Sequence, residues 1–166
     1  GASKLAGEQA IQASGCEHLI FRTSWVYAAR GNNFMKTMLN LARTRDTLSI
    51  VSDQIGAPTP ASLIAEVSAL AVHQRLTSGL YHLTTTGATS WHGFASDIFV
   101  QAGKLGETLQ LDLAKVKAIT SSEYPTPARR PLNSRLALDK LQAALGIQLP
   151  DWQEQLTLTL QDHLKG

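Results

Sequence analysis

Apolar residues recur along the chain with two alternating periods, and their order predicts the elements. Leu5, Ala6, Gln9, Ala10 and Ala13 fall on one helical face, which Gly15 is placed to end. His18 to Thr23 (HLIFRT) is a short apolar run, the pattern of a strand buried on both faces. Asn32 or Asn33 can cap the next helix, whose stripe is Phe34, Met38, Leu41 and Ala42. Thr47 to Val51 (TLSIV) reads as another strand. Thr59 and Pro60 match an N-cap and first helical position, ahead of a stripe of Leu63, Ile64, Val67, Leu70 and Ala71.

The second half continues in the same way. Gly79 to Thr84 (GLYHLT) is a third strand, and Ser90 caps a helix carrying Trp91, Phe94, Ala95, Ile98 and Ala102. A weaker strand at Val116 to Ile119 precedes a proline-marked loop, Tyr124 to Pro131 (YPTPARRP). A helix over Leu138 to Leu145 stops at Gly146. Asp151 and Glu154 form a capping-box pattern after Pro150, opening a last helix lined by Trp152, Leu156, Leu160 and Leu164. Strands alternating with helices predict an α/β protein with parallel pairing.

Composition adds bounds to that picture. A chain of 166 residues is long enough to bury a core of its own. Hydrophobic residues make up 43 % and charged residues 17 %, which excludes disorder and leaves a thin coat of charge. Part of the surface is therefore expected to meet another domain or chain. A net charge of +2 is too small to grip duplex nucleic acid, although a local basic spot could meet a phosphorylated small molecule. Cys16 is the one cysteine, so no internal disulfide or thiolate zinc site forms, and a reducing, cytoplasmic setting fits. It is expected to pack as a small buried hydrophobe. No apolar run is long enough to span a membrane. The first residues, Gly1-Ala2-Ser3-Lys4, carry neither Met nor an apolar leader, so the true amino terminus is expected elsewhere.

Generic motifs assign no chemistry. Neither a G-x-G-x-x-G nor a Walker loop is present, and no nucleophile elbow frames a serine. His18, His73, His82, His92 and His163 show no paired helical spacing with carboxylates, so no metal site is expected.

Four stretches in register change this reading. They are Gly1-Ala2-Ser3-Lys4-Leu5-Ala6-Gly7-Glu8; Phe21-Arg22-Thr23-Ser24-Trp25-Val26-Tyr27 with Gly31-Asn32-Asn33-Phe34; Asp53-Gln54-Ile55-Gly56-Ala57-Pro58-Thr59; and Tyr124 to Pro131 with Asn133-Ser134-Arg135. Together, and with the Leu149-Pro150-Asp151-Trp152 helix start, they resemble the dTDP-4-dehydrorhamnose reductase family of the extended short-chain dehydrogenases/reductases. The resemblance runs nearly end to end. It implies the carboxy-terminal portion of a Rossmann-type fold together with a smaller substrate-binding subdomain. Residues 1–26 and 59–84 would be remnants of the Rossmann sheet and its helices, and 27–58 and 85–166 the substrate-binding subdomain.

The implied activity is reduction of the C4 ketone of dTDP-4-dehydro-L-rhamnose by NADPH or NADH. Gly1-Ala2-Ser3-Lys4 resembles the end of the family's Tyr-x-x-x-Lys pair, which shares one helical face. An ammonium there lowers the pKa of a phenol that protonates the ketone. Lys4 would also hydrogen-bond the nicotinamide ribose. The family's tyrosine, its catalytic Thr or Ser and its glycine-rich fingerprint would all precede Gly1. The chain is accordingly expected to lack the main dinucleotide site, to need an amino-terminal Rossmann half as partner, and to show no turnover alone.

The resemblance also sorts the other polar and aromatic residues. Trp25 would wall the deoxysugar, against an alternative of core packing; Thr23 and Ser24 would line the nicotinamide side. Asn33 and Gln54 would hydrogen-bond the nucleotide sugar, or else serve as a helix cap and a turn residue. Arg129 or Arg130, on a loop stiffened by prolines, would reach the diphosphate bidentately. The same loop also reads as a proline-rich ligand for a partner domain, or as a turn with solvated arginines. Trp91 and Trp152 read as core. Two rival functions stay open: a non-catalytic regulatory subunit of this fold, and a nucleotide-sugar epimerase or dehydratase. A homodimer is a further expectation.

Overall fold

In chain order, helix α1 (Ala2–Ala13) leads into β1 (Leu19–Arg22) and β2 (Val26–Tyr27), followed by α2 (Phe34–Ala42), β3 (Leu48–Val51), β4 (Ile55–Gly56) and β5 (Thr59–Pro60). Then come α3 (Ala61–His73), β6 (Gly79–His82), β7 (Thr89–Ser90), α4 (Trp91–Lys104), β8 (Val116–Ile119), α5 (Asp139–Leu145) and α6 (Trp152–Lys165). These elements belong to a computed structural model that describes residues 1–128 and 130–165.

The longer strands pair in parallel. β1 lies against β6 with Leu19 opposite Gly79, and β3 against β8 with Leu48 opposite Val116. Two further pairs are only two residues long: β2 with β5, parallel, and β4 with β7, antiparallel. The pattern of the sequence missed all four of these short strands, because two residues carry no readable alternation.

Local chemistry sets the helix limits. The Asn33 side chain accepts from the Lys36 amide at 3.3 Å to start α2, and Ser90 accepts from the Gly93 amide at 3.0 Å to start α4. Gly146 takes a left-handed conformation, φ 65°, and ends α5. The expected cap at Thr59 does not form. Its hydroxyl instead donates to the Ala57 carbonyl at 3.1 Å, and α3 begins at Ala61.

Two clusters of buried apolar side chains fill the interior. The larger joins α2, α4 and α6 through Tyr27, Met35, Leu39, Phe94, Ile98, Trp152 and Leu156. The other packs Leu63 and Val67 of α3, with Leu141 and Leu145 of α5, around Tyr81 and Leu83. α5 falls in residues 85–166 of the division drawn above, yet it packs against the β1–β6 pair. α3 and α5 share the one cluster formed around Tyr81 and Leu83, so both helices pack on the side of the sheet that these residues face.

The surface differs from expectation at two places. Cys16 is exposed rather than buried, because it follows Gly15 in the surface turn between α1 and β1. No residue of α1 is buried, and Leu5 and Ile11 are more than two-fifths exposed at 47 % and 43 %. α1 is tied to β1 by Glu8, whose carboxylate accepts from the Arg22 guanidinium at 2.6 Å. Among the described residues no helix is long and apolar enough to cross a membrane.

One buried polar atom stands out in the larger cluster. The Tyr27 hydroxyl, on a residue only 1 % exposed, has no hydrogen-bond partner of good geometry among the described residues. The Thr159 hydroxyl beside it donates to the Gln155 carbonyl at 2.8 Å. Burial pushes the Tyr27 pKa far above the usual phenol range, and Thr159 offsets only part of this. Tyr27→Phe is therefore expected to stabilise the chain by about 1 kcal/mol, since it removes a desolvated group and keeps the ring. The measurement is the urea midpoint at unchanged slope; a lower midpoint would show that the hydroxyl is satisfied.

Candidate functional site

A cavity of about 690 Å³ opens between α2, β3, the start of α4 and the loop that follows residue 123. Its walls include Trp25, Phe34, Met38, Gln54, Trp91 and Tyr124, with Arg130 among its lining residues and itself exposed. Trp25 lies three residues beyond β1, where open α/β sheets hold their ligands. The apolar side comes from α2 and β3, while the 124–134 loop brings the polar groups.

The indole of Trp25 is held from several directions. Its backbone sits in the left-handed region at φ 50°, which a bulky side chain adopts rarely and usually at a functional site. Its ring stacks on Trp91 at 3.7 Å between centroids, with the planes 9° apart. Phe34 tilts against Trp91 at 4.6 Å and continues the aromatic wall. Gly56 leaves the room for this arrangement: a Cβ there would lie 2.6 Å from Trp25 Cε2.

Polar groups behind the wall form a chain. Trp91 Nε1 donates to Gln54 Oε1 at 3.1 Å, and Gln54 Nε2 donates to Ser121 Oγ at 2.9 Å. The Asp53 carboxylate accepts from both the Ser121 amide and its hydroxyl. Those bonds hold the Asp53 carboxyl below the usual carboxylate range. Glu123 is held low in the same way by the Thr120 amide and hydroxyl.

The residues singled out in the sequence divide into three groups. Trp25, Gln54 and Arg130 meet at the cavity. Asn33 does not line it; its Nδ2 donates to the Ala28 carbonyl at 2.7 Å while its Oδ1 caps α2. Lys4, Thr23 and Ser24 lie outside its lining. Lys4 stands one turn before Glu8 on the same helical face, and the Glu8–Arg22 pair fixes that face against the end of β1. Thr23 is exposed, and Ser24 donates weakly to the Ala57 carbonyl at 3.4 Å. Arg129 lies outside the described residues.

Trp91, expected in the core, packs half-buried against the larger cluster and also lines the cavity. Its place one residue after the Ser90 cap puts it at the open end of α4, a signal the periodicity alone does not carry. Ser121, Tyr124 and Ser134 were not foreseen as part of the site. A second cavity, about 580 Å³, lies between α3 and α6 and is lined by Arg30, Glu66 and Asp162. None of the expected site residues reaches it. No cluster of three or more metal-ligating side chains occurs among the described residues.

Solved structures share this fold over nearly the whole chain. It is similar to a dTDP-4-dehydrorhamnose reductase ortholog of Clostridium acetobutylicum, with TM-score 0.89 and 36 % identity, covering 100 % of this chain and 55 % of that one. A Bacillus anthracis dTDP-4-dehydrorhamnose reductase, solved in complex with NADP, gives TM-score 0.87 and 35 % identity over 97 % of this chain and 54 % of that one. The fold is thus of the Rossmann-type extended short-chain dehydrogenase/reductase class. Residues 1–165 match the family described as RmlD substrate binding domain, and the chain belongs to that family. It is also similar to the dTDP-4-dehydrorhamnose reductase of Escherichia coli K12, 50 % identical over 157 residues that make up 92 % of this chain and 52 % of the relative. The chain therefore spans about half the length of the curated relatives it matches.

Proposed function

We propose that the cavity binds a dTDP-linked deoxysugar, and that the chain is the substrate-binding part of a dTDP-4-dehydrorhamnose reductase. The reaction is reduction of the C4 ketone of dTDP-4-dehydro-L-rhamnose to dTDP-L-rhamnose, a step toward cell-surface polysaccharide. The observation that carries this reading is the Trp25 indole, strained in the left-handed region and set into a cavity that Arg130 also lines. A 6-deoxysugar has an apolar face that suits a flat indole, and a guanidinium fork suits a diphosphate. Arg129, next to Arg130 in sequence, is proposed to share that role.

The residues present fit one end of a nicotinamide dinucleotide and not its pyrophosphate. Lys4 and Thr23 are exposed near the carboxyl end of β1, while the sequence contains no glycine-rich phosphate turn. Lys4 would hold the ribose and favour the phenolate of a neighbouring tyrosine; Ser24 and Thr23 would flank the nicotinamide. NADPH or NADH supplies the hydride when bound. The parts of the relatives outside the match are proposed to provide the phosphate site. This chain's own contribution is to orient the sugar on Trp25 and to anchor the diphosphate. Cys16, exposed and unpaired, fits a reducing, cytoplasmic setting.

Titration of the chain with dTDP-L-rhamnose, followed by tryptophan fluorescence, tests the reading. Trp25 and Trp91 line the cavity and Trp152 is buried elsewhere, so saturable quenching of part of the emission is expected. No change up to millimolar ligand would sink the proposal.

A further inference from the structure

Gln54 sits at the cavity, but both ends of its amide are already engaged by side chains. Its oxygen accepts from Trp91 Nε1 at 3.1 Å and its nitrogen donates to Ser121 Oγ at 2.9 Å. Each partner fixes the amide's orientation, because an indole can only donate and the Ser121 hydroxyl already donates to Asp53 at 2.7 Å. The chain therefore has one polarity: Trp91 to Gln54, Gln54 to Ser121, Ser121 to Asp53. Its anchor is a carboxylate that also accepts from the Ser121 amide at 2.9 Å.

At the far end of that chain Trp91 is boxed in. Phe34 tilts onto it at 4.6 Å, and Trp25 stacks on it at 3.7 Å. Stacking sets the separation of two rings more firmly than their offset, and Gln54 supplies the directional bond that fixes the offset of the Trp91 indole. Trp25 gains no such bond from its own nitrogen among the described residues, and its main chain is tied only where its carbonyl accepts from the Thr59 amide at 3.2 Å. Its ring is placed by the Trp91 face on one side and by the gap above Gly56.

We infer that Gln54 is a positioning residue: by pinning Trp91 it fixes the Trp25 indole as a preformed wall for the sugar. This rests on the cavity being the sugar-nucleotide site proposed above. Gln54 then discriminates at the sugar and contributes little to the nucleotide, so the split between two ligands isolates it. Preformation matters because a wall already ordered costs less to bind against.

The test uses the intact chain, the variants Gln54→Leu and Trp91→Phe, and their combination. The probes are dTDP-L-rhamnose and dTDP. Gln54→Leu keeps the volume and removes both bonds; it is expected to weaken dTDP-L-rhamnose about tenfold and dTDP less than about twofold. Trp91→Phe removes the indole donor and should act in the same direction. On that background Gln54→Leu should add nothing, since the two residues act as one unit. Gln54→Glu offers a rescue: it can accept from Trp91 in either form, but only its protonated form can also donate to Ser121. Once ionised it faces the Ser121 oxygen and the Asp53 carboxylate with no proton between them, so sugar discrimination should return at low pH and fade as pH rises.

Indole N–H resonances supply a readout independent of binding. The chain has three tryptophans, so three indole signals are assignable by substitution. In Gln54→Leu the Trp25 signal, shifted by the ring it stacks on, is expected to move or broaden, with the Trp152 signal unchanged. Equal losses for both ligands, an unmoved Trp25 signal, or additive effects with Trp91→Phe would each overturn the inference. If the parent chain bound neither probe, the site reading would fail, and the indole signals alone would decide whether Gln54 pins the pair.

Discussion

Phe94→Ala is expected to destabilise the chain by about 4 kcal/mol, a large share of the roughly 5–15 kcal/mol that holds a domain folded. Phe94 is completely buried at 0 % exposure and is the point where the larger cluster converges. Tyr27 meets its ring edge-on at 5.2 Å, Trp152 does so at 6.0 Å, and Phe34 stacks on it at 5.6 Å. Truncation would empty the space between β2, α2 and α6 together, and three large rings cannot all collapse into one void. Phe94→Leu retains most of the volume and should cost only about 1.5 kcal/mol. Urea unfolding measures both. A loss below about 1.5 kcal/mol for alanine would show that the cluster repacks, contrary to the close packing of such interiors. The effect should reach the candidate site, since Phe34 touches both Phe94 and Trp91.

Much of this architecture was legible in the sequence because long elements repeat their pattern. The strand runs at 18–23, 47–51, 79–84 and 116–119 contain the four-residue strands β1, β3, β6 and β8, and these pair in parallel as β1–β6 and β3–β8. What stayed hidden depends on contacts distant in the chain. Antiparallel β4–β7 joins Ile55 to Ser90, and neither two-residue segment has a period to read. Trp91 shows the same limit at the site. Helical spacing says that it faces inward, but not whether it meets packed core or an open cavity. Asn33 was read both as a helix cap and as a ligand contact, and its side chain serves the cap and the preceding turn. Thr59-Pro60 has the letters of a helix start, yet strand pairing with Val26 and Tyr27 takes those residues instead. Trp25 emerged from the resemblance. Its left-handed backbone and the partner rings that hold it came only from the structure.

Gly56→Ala is the substitution expected to damage the candidate site most for the fewest atoms added. The added Cβ would lie 2.6 Å from Trp25 Cε2, 2.8 Å from Trp25 Nε1 and 2.7 Å from Ser134 Oγ. Such distances are far inside van der Waals contact, so something must move. The Ser134 hydroxyl can rotate away, at the loss of its 3.1 Å bond to the Ile55 carbonyl. The indole has no comparable freedom, because Trp91 closes its other side. Overpacking of this kind costs about 2 kcal/mol of stability. Binding should suffer more: displacing the wall is expected to weaken dTDP-L-rhamnose by more than about tenfold. The diagnostic comparison is with Trp25→Ala. Once the indole is gone only the Ser134 contact remains, so Gly56→Ala on that background should cost about 1 kcal/mol or less in stability, for the lost Ser134 bond, and almost nothing in affinity. An equal penalty with and without the indole would mean that Gly56 is needed for the β4 backbone itself, and that the Trp25 wall does not depend on it.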